Sequence, residues 1–147
     1  MIASSEWKPT EANQNLYEGH SESGHTILFD ASAEHPDGPS PMEAVLSALC
    51  ACTSVDVVSI LKKKRQPLTS LTVSAEAEQQ VEPPRYFNKI RLIYKVGGQL
   101  DRKAVEDAVA LSKNKYCSVS AMLEKAAEIQ FVIEYDDMDQ VEVGPLD

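Results

Sequence analysis

Residues 41–64, PMEAVLSALCACTSVDVVSILKKK, decide the fold. From Ala44 to Leu61 there is no glycine and no proline, and most side chains are apolar. Val45, Leu49, Cys52 and Ser59 recur near helical spacing, and so do Leu46, Thr53, Val57 and Ile60. Two faces of the helix are therefore mostly apolar, and a helix apolar most of the way round belongs in a core. At ~1.5 Å per residue the run spans roughly 27 Å, about the width of a small domain. Glu43, Ser47, Thr53, Ser54, Asp56 and Ser59 interrupt it and Lys62 to Arg65 close it, so no membrane span is expected. Ser40-Pro41 with Glu43 marks the start: a serine cap, a proline in the first turn and a capping carboxylate. Glu43 is equally a candidate site group. The basic run Lys62 to Arg65 complements the dipole at the other end.

The 147 residues suit one domain, 1–147, with a single sizeable core. A formal net charge of -9 argues against a nucleic-acid partner, because phosphate recognition needs a basic face. Met1 to Lys8 lack the apolar stretch of a signal peptide, and a cytoplasmic location is expected. Three cysteines, an odd number, argue against a structural disulfide framework. There is no internal repeat.

Outward from the helix, residues 1–40 read as a strand meander and loop, with apolar spots at Ile2 to Lys8, Leu16-Tyr17 and Thr26 to Phe29. After Gln66-Pro67, Leu71, Val73, Ala75 and Ala77 alternate with polar residues, which predicts a half-exposed strand over 68–81. Ile90, Leu92 and Tyr94 mark its partner over 86–96, and Gly97-Gly98 turns the chain away. Asp101 caps a second helix from Arg102 to Lys113, which Asn114-Lys115-Tyr116 interrupt. Ser118 or Ser120 caps a third, Ile129 to Tyr135 forms a last strand, and 136–147 is expected to be a loose acidic tail. The order β-β-β-α-β-β-α-α-β is an α+β pattern, with a long buried helix against antiparallel sheets.

Cys50 and Cys52 lie about 200° apart around a helix and cannot share one metal or bond to each other. His20, His25 and His35 all sit in the N-terminal part, and no paired-ligand spacing occurs, so no metal is expected. Cys117 lies just before a predicted helix N-terminus, where aligned N–H groups favour a thiolate. On physical grounds alone Cys117 reads as the nucleophile and Cys52 as packing. Free cysteines often just fill space, and Cys50 fits that description best.

The runs SPMEAVLSALCACTSVDVVSILKKK (40–64) and KYCSVSAMLEKA (115–126) resemble the OsmC/Ohr family. Pro41-x-Glu43, Ala48-x-x-x-Cys52 and the run from Asp56 to Lys63 look most like its YhfA-like branch. The resemblance spans about residues 21–135. It implies the OsmC-like fold, an intertwined homodimer with the two long helices packed centrally, and no metal or organic cofactor. It also implies a thiol peroxidase that reduces organic hydroperoxides, and sometimes hydrogen peroxide, in oxidative stress defence. Cys52 matches the peroxidatic cysteine and Cys117 the resolving one, which reverses the reading from the dipole. The implied cycle passes through a Cys52 sulfenic acid and a Cys52–Cys117 disulfide that an external dithiol reduces. Met42 and Leu49 would wall the substrate pocket.

Two positions depart from the family pattern. Met42 stands ten residues before Cys52, where the hydroperoxide-reducing members carry a glutamate, and Glu43 is one step further round the helix. Those members also stabilise the thiolate with an N-terminal arginine, whereas the first arginine here is Arg65. Arg85, donated by the same or the partner subunit, is the first substitute and His25 the second. A ligand-binding module on the same fold, or a thiol redox sensor, are the competing expectations.

Overall fold

The computed structural model describes residues 1–136 and 141–143. The elements follow the expected order, with a π-helical turn and one short strand added. The chain divides into two compact units, Met1–Leu46 and Ser47–Asp147, and the boundary falls within the long helix.

The first unit holds an antiparallel meander of β1 (Ala3–Trp7), β2 (Leu16–Ser21) and β3 (Thr26–Asp30), in that order. Its last residue, Asp30, is buried, and its carboxylate accepts from Asn13 Nδ2 at 2.9 Å and from the N–H groups of Ser32 and Asp37. Burial raises the pKa of this carboxyl, but these bonds together outweigh it and hold the group below its ordinary value. The loop fixed in this way leads into α1 (Pro41–Lys63) through the expected reciprocal cap. Glu43 N–H donates to Ser40 Oγ at 3.2 Å, and Ser40 N–H donates to the Glu43 carboxylate at 2.7 Å.

In the second unit β4 (Ser70–Gln79) and β5 (Phe87–Gly97) pair antiparallel, as their alternation predicts. The expectation of purely antiparallel sheets needs a correction here. β6 (Glu128–Tyr135) lies parallel to β5, because α2 (Arg102–Leu111), the π-helical turn Ser112–Tyr116 and α3 (Ser118–Leu123) return the chain to the starting end of β5. Within the expected tail, β7 (Val141–Val143) pairs antiparallel with β6, giving the sheet order β4-β5-β6-β7. The rest of the tail after Asp136 lies outside the described residues.

Along α1 the buried positions are Leu49, Thr53, Val57 and Leu61, a single stripe of period four. Ile90, Leu92, Tyr94 and Val96 of β5, Val105 and Val109 of α2, and Ile133 of β6 complete this unit's core. The rest of α1 is less covered within one chain, and Val55 is 69% exposed. By length and composition alone α1 could cross a membrane, with a mean hydropathy of 2.0 over its most apolar 18 residues. Its buried stripe, however, is occupied by protein contacts that include a threonine.

Gly98 leaves β5 with φ +117°, and a Cβ there would run into the Pro67 carbonyl oxygen. Gly98→Ala is therefore expected to cost more than about 1 kcal/mol in urea unfolding, through strain and overlap together.

Candidate functional site

After Leu111, α2 does not simply stop. The Cys117 N–H reaches back five residues to the Ser112 carbonyl at 2.8 Å, closing a π-type turn. Ser112 is fully buried, and Cys117 sits in extended conformation (φ -71°, ψ 104°) as the cap of α3. The cap is thus the cysteine itself, where the sequence pointed to Ser118 or Ser120. Its Sγ accepts the Ser120 N–H at 3.4 Å. Ser120 is too deep in the first turn of α3 to cap it, and Ser118 is its first helical residue.

Cys117 is only 2% exposed. Burial pushes its thiol up, hydrogen bonding from Ser120 draws it part of the way back, and the adjoining Cys52 thiol pushes it up again. It is therefore a neutral thiol near pH 7. Cys52, half-buried on α1, is near enough to act on it electrostatically. Cys50 is also half-buried, and desolvation raises its thiol pKa.

Beside the two sulfurs runs a chain of polar side chains whose direction is fixed by proton counting. Ser112 Oγ–H donates to Asp56 Oδ2 at 2.9 Å, which uses the only proton of that hydroxyl. In the 2.8 Å contact between Thr53 Oγ1 and Ser112 Oγ, Thr53 must then be the donor. The 2.6 Å contact between Tyr94 and Thr53 must in turn be donated by Tyr94. The order is Tyr94 to Thr53 to Ser112 to Asp56, ending on a half-buried carboxylate. Thr53, Tyr94 and Ser112 are all fully buried. Desolvation holds the Tyr94 phenol well above its ordinary range; the Thr53 bond opposes this, and the nearby Cys117, Cys50 and Asp56 add to it.

The other sequence candidates fall as follows. Glu43 caps α1, and its bonds from Ser40 hold its carboxyl below the ordinary value. His25 is exposed, with Nδ1 3.1 Å from Ser23 Oγ in the turn before β3. Arg85 is exposed between β4 and β5, its Nε donating to the Val81 carbonyl at 3.1 Å. Met42 is half-buried, and Leu49 is fully buried in the stripe of α1. Glu43, His25 and Met42 belong to the first unit, and the cysteines, Arg85 and Leu49 to the second. Within the second unit, Cys52 and Cys117 are brought together. Thr53, Tyr94 and Ser112 were not singled out from sequence as site residues. The available cue was a polar residue in the middle of a buried apolar stripe, which demands a partner. On the first sheet Glu6, Glu18 and His20 come within 4.8 Å of one another, but Lys8 pairs with Glu6 and His20 with Glu18.

A long helix bearing one cysteine against a turn bearing the other, in an α+β chain with two small sheets, has the make-up of an OsmC-type protein. Residues 34–132 match the family model described as OsmC-like protein, and the chain belongs to that family. Over 112 residues it is 48% identical to Protein YhfA of Escherichia coli K12, covering 76% of this chain and 83% of that protein. A structure from structural genomics is 41% identical and superposes with a TM-score of 0.82, covering 92% of this chain and 98% of that one. An organic hydroperoxide resistance protein from Legionella pneumophila shares the fold at 14% identity, with a TM-score of 0.68 over 90% of this chain and 95% of that one.

Replacing the middle of the hydroxyl chain should cost more than replacing its end. Thr53→Val leaves the buried Tyr94 proton without an acceptor, at about 1–3 kcal/mol. Tyr94→Phe removes one bond but leaves Thr53 donating to Ser112, at about 0.5–1.5 kcal/mol. Urea unfolding of the reduced variants checks that order.

Proposed function

We propose that this chain is a thiol-dependent peroxidase in which Cys52 reacts and Cys117 resolves. The carrying observation is the adjacency of a half-buried thiol and a deeply buried one whose ionisation is opposed by burial. The burial of Cys117, which opposes its ionisation and its access to substrate, favours Cys52 as the sulfur that reacts first. The Ser120 N–H at the start of α3 favours a Cys117 thiolate but does not offset the burial.

The Cys52 thiolate attacks the distal oxygen of a hydroperoxide and breaks the O–O bond. This leaves Cys52 sulfenic acid and an alkoxide, which takes up a proton to become the alcohol. Cys117 sulfur then bonds to Cys52 sulfur; its proton and the departing hydroxide leave as water. An external dithiol returns two electrons and two protons and leaves as its own disulfide. The named activity of the Legionella relative, organic hydroperoxide resistance, supports an organic peroxide as the substrate. A cation beside Cys52 would favour its thiolate, and Arg85 is the candidate within the same unit.

The reading includes a cytoplasmic homodimer. Val55 at 69% exposure, the half-buried face of Leu71, Val73 and Ala75, and Met122 at 66% leave apolar surface for a second copy to cover. Sedimentation at micromolar concentration should give the mass of two chains; a monomer would contradict this part.

The activity test uses reduced protein, cumene hydroperoxide and excess dithiothreitol. Many turnovers per chain are expected, abolished by Cys52→Ser and preserved by Cys50→Ser. Stoichiometric oxidation without turnover would make the protein a redox sensor instead. No peroxide loss at all would refute both.

A further inference from the structure

We propose that Thr53 and Ser112 are positioning residues for the cysteine pair: their buried hydrogen bond, held between Tyr94 and Asp56, keeps Cys117 within reach of Cys52. This inference rests on the reading of Cys52 and Cys117 as a redox pair, and it adds residues that neither touch peroxide nor exchange electrons.

The connection between the sulfurs is short. Thr53 follows Cys52 on α1, and its hydroxyl donates to Ser112 Oγ at 2.8 Å. The Ser112 carbonyl accepts the Cys117 N–H, also at 2.8 Å, across the π turn. Two hydrogen bonds thus join the backbone at one cysteine to the backbone at the other. Thr53 and Ser112 are both 0% exposed, so water does not compete for the bond between them. Tyr94 donates to Thr53 from β5, and Asp56 accepts from Ser112 one helical turn beyond Cys52. With both ends occupied, the Thr53 proton has one place to go. The bridge is anchored to α1 at two points and to the sheet at a third.

Such a bridge matters for a disulfide more than for general packing. The equilibrium between a dithiol and its disulfide depends on the effective concentration of one sulfur at the other, which restraint raises. When the bridge is lost, the reduced protein relaxes into the freedom gained, while the oxidised protein stays tied by its S–S bond. The balance moves toward the dithiol. A side chain that only stabilised the fold would weaken both forms equally and leave the balance unmoved.

The test equilibrates full-length protein with mixtures of reduced and oxidised dithiothreitol. The two protein thiols give two electrons and two protons to the cyclic disulfide and become the Cys52–Cys117 bond. Trapping free thiols by alkylation and weighing the products gives the oxidised fraction. Thr53→Val should lower the equilibrium constant about tenfold, equivalent to ~30 mV toward a more oxidising couple. Thr53→Ser, which keeps the hydroxyl, should restore the wild-type value. Ser112→Ala should shift the balance in the direction of Thr53→Val, and it decides the matter if Thr53→Val fails to fold. A wild type that forms the disulfide, with these variants matching it, overturns the positioning role alone. A wild type that forms no such disulfide at any ratio overturns the redox reading and this inference with it.

Discussion

A hydroxyl buried in an apolar core must find a partner or cost about 1–3 kcal/mol, and three of them meet between α1, β5 and the π turn. Each satisfies the next, and the last proton lands on Asp56. That requirement reaches outward. It places polar Thr53 in a stripe otherwise filled by Leu49, Val57 and Leu61, and it accompanies the inward turn of Ser112 at the end of α2. The same five-residue turn delivers Cys117 to the start of α3. The polar chain and the cysteine pair are two consequences of one local geometry.

In the proposed cycle, burial divides the labour between the sulfurs. Burial of Cys117 holds its proton on, while Cys52 keeps more contact with its surroundings. A resolving thiol loses nothing by staying neutral until a sulfenic acid forms beside it. An attacking thiol must ionise first, so the less buried of the two is suited to that part.

Much of this was legible in the residues. The length of α1, its cap at Ser40 and Glu43, the alternation of β4 and β5 and the Asp101 cap of α2 all rest on local patterns, and the structure contains each of them. The parallel pairing of β6 was not legible, because an isolated strand carries no sign of its partner's direction. The π turn escaped for a related reason. Asn114-Lys115-Tyr116 looked like a simple break, and only the packing of Ser112 makes a wider turn worthwhile. Helix-dipole reasoning points to Cys117 because sequence shows position along a helix but not depth, and the structure adds a burial that opposes its ionisation. Thr53 and Ser112 were hidden by the same blindness to pairing across 59 residues of chain.

The central claim is that Cys52 and Cys117 form one redox pair, and the most direct measurement maps the bond they make. Reduced protein is mixed with one equivalent of alkyl hydroperoxide, quenched within seconds, digested and analysed by mass spectrometry. The account predicts a cross-linked peptide joining Cys52 to Cys117, loss of two thiols per chain, and Cys50 left free. Retention of all three thiols, or a bond that includes Cys50 in place of either partner, would contradict it.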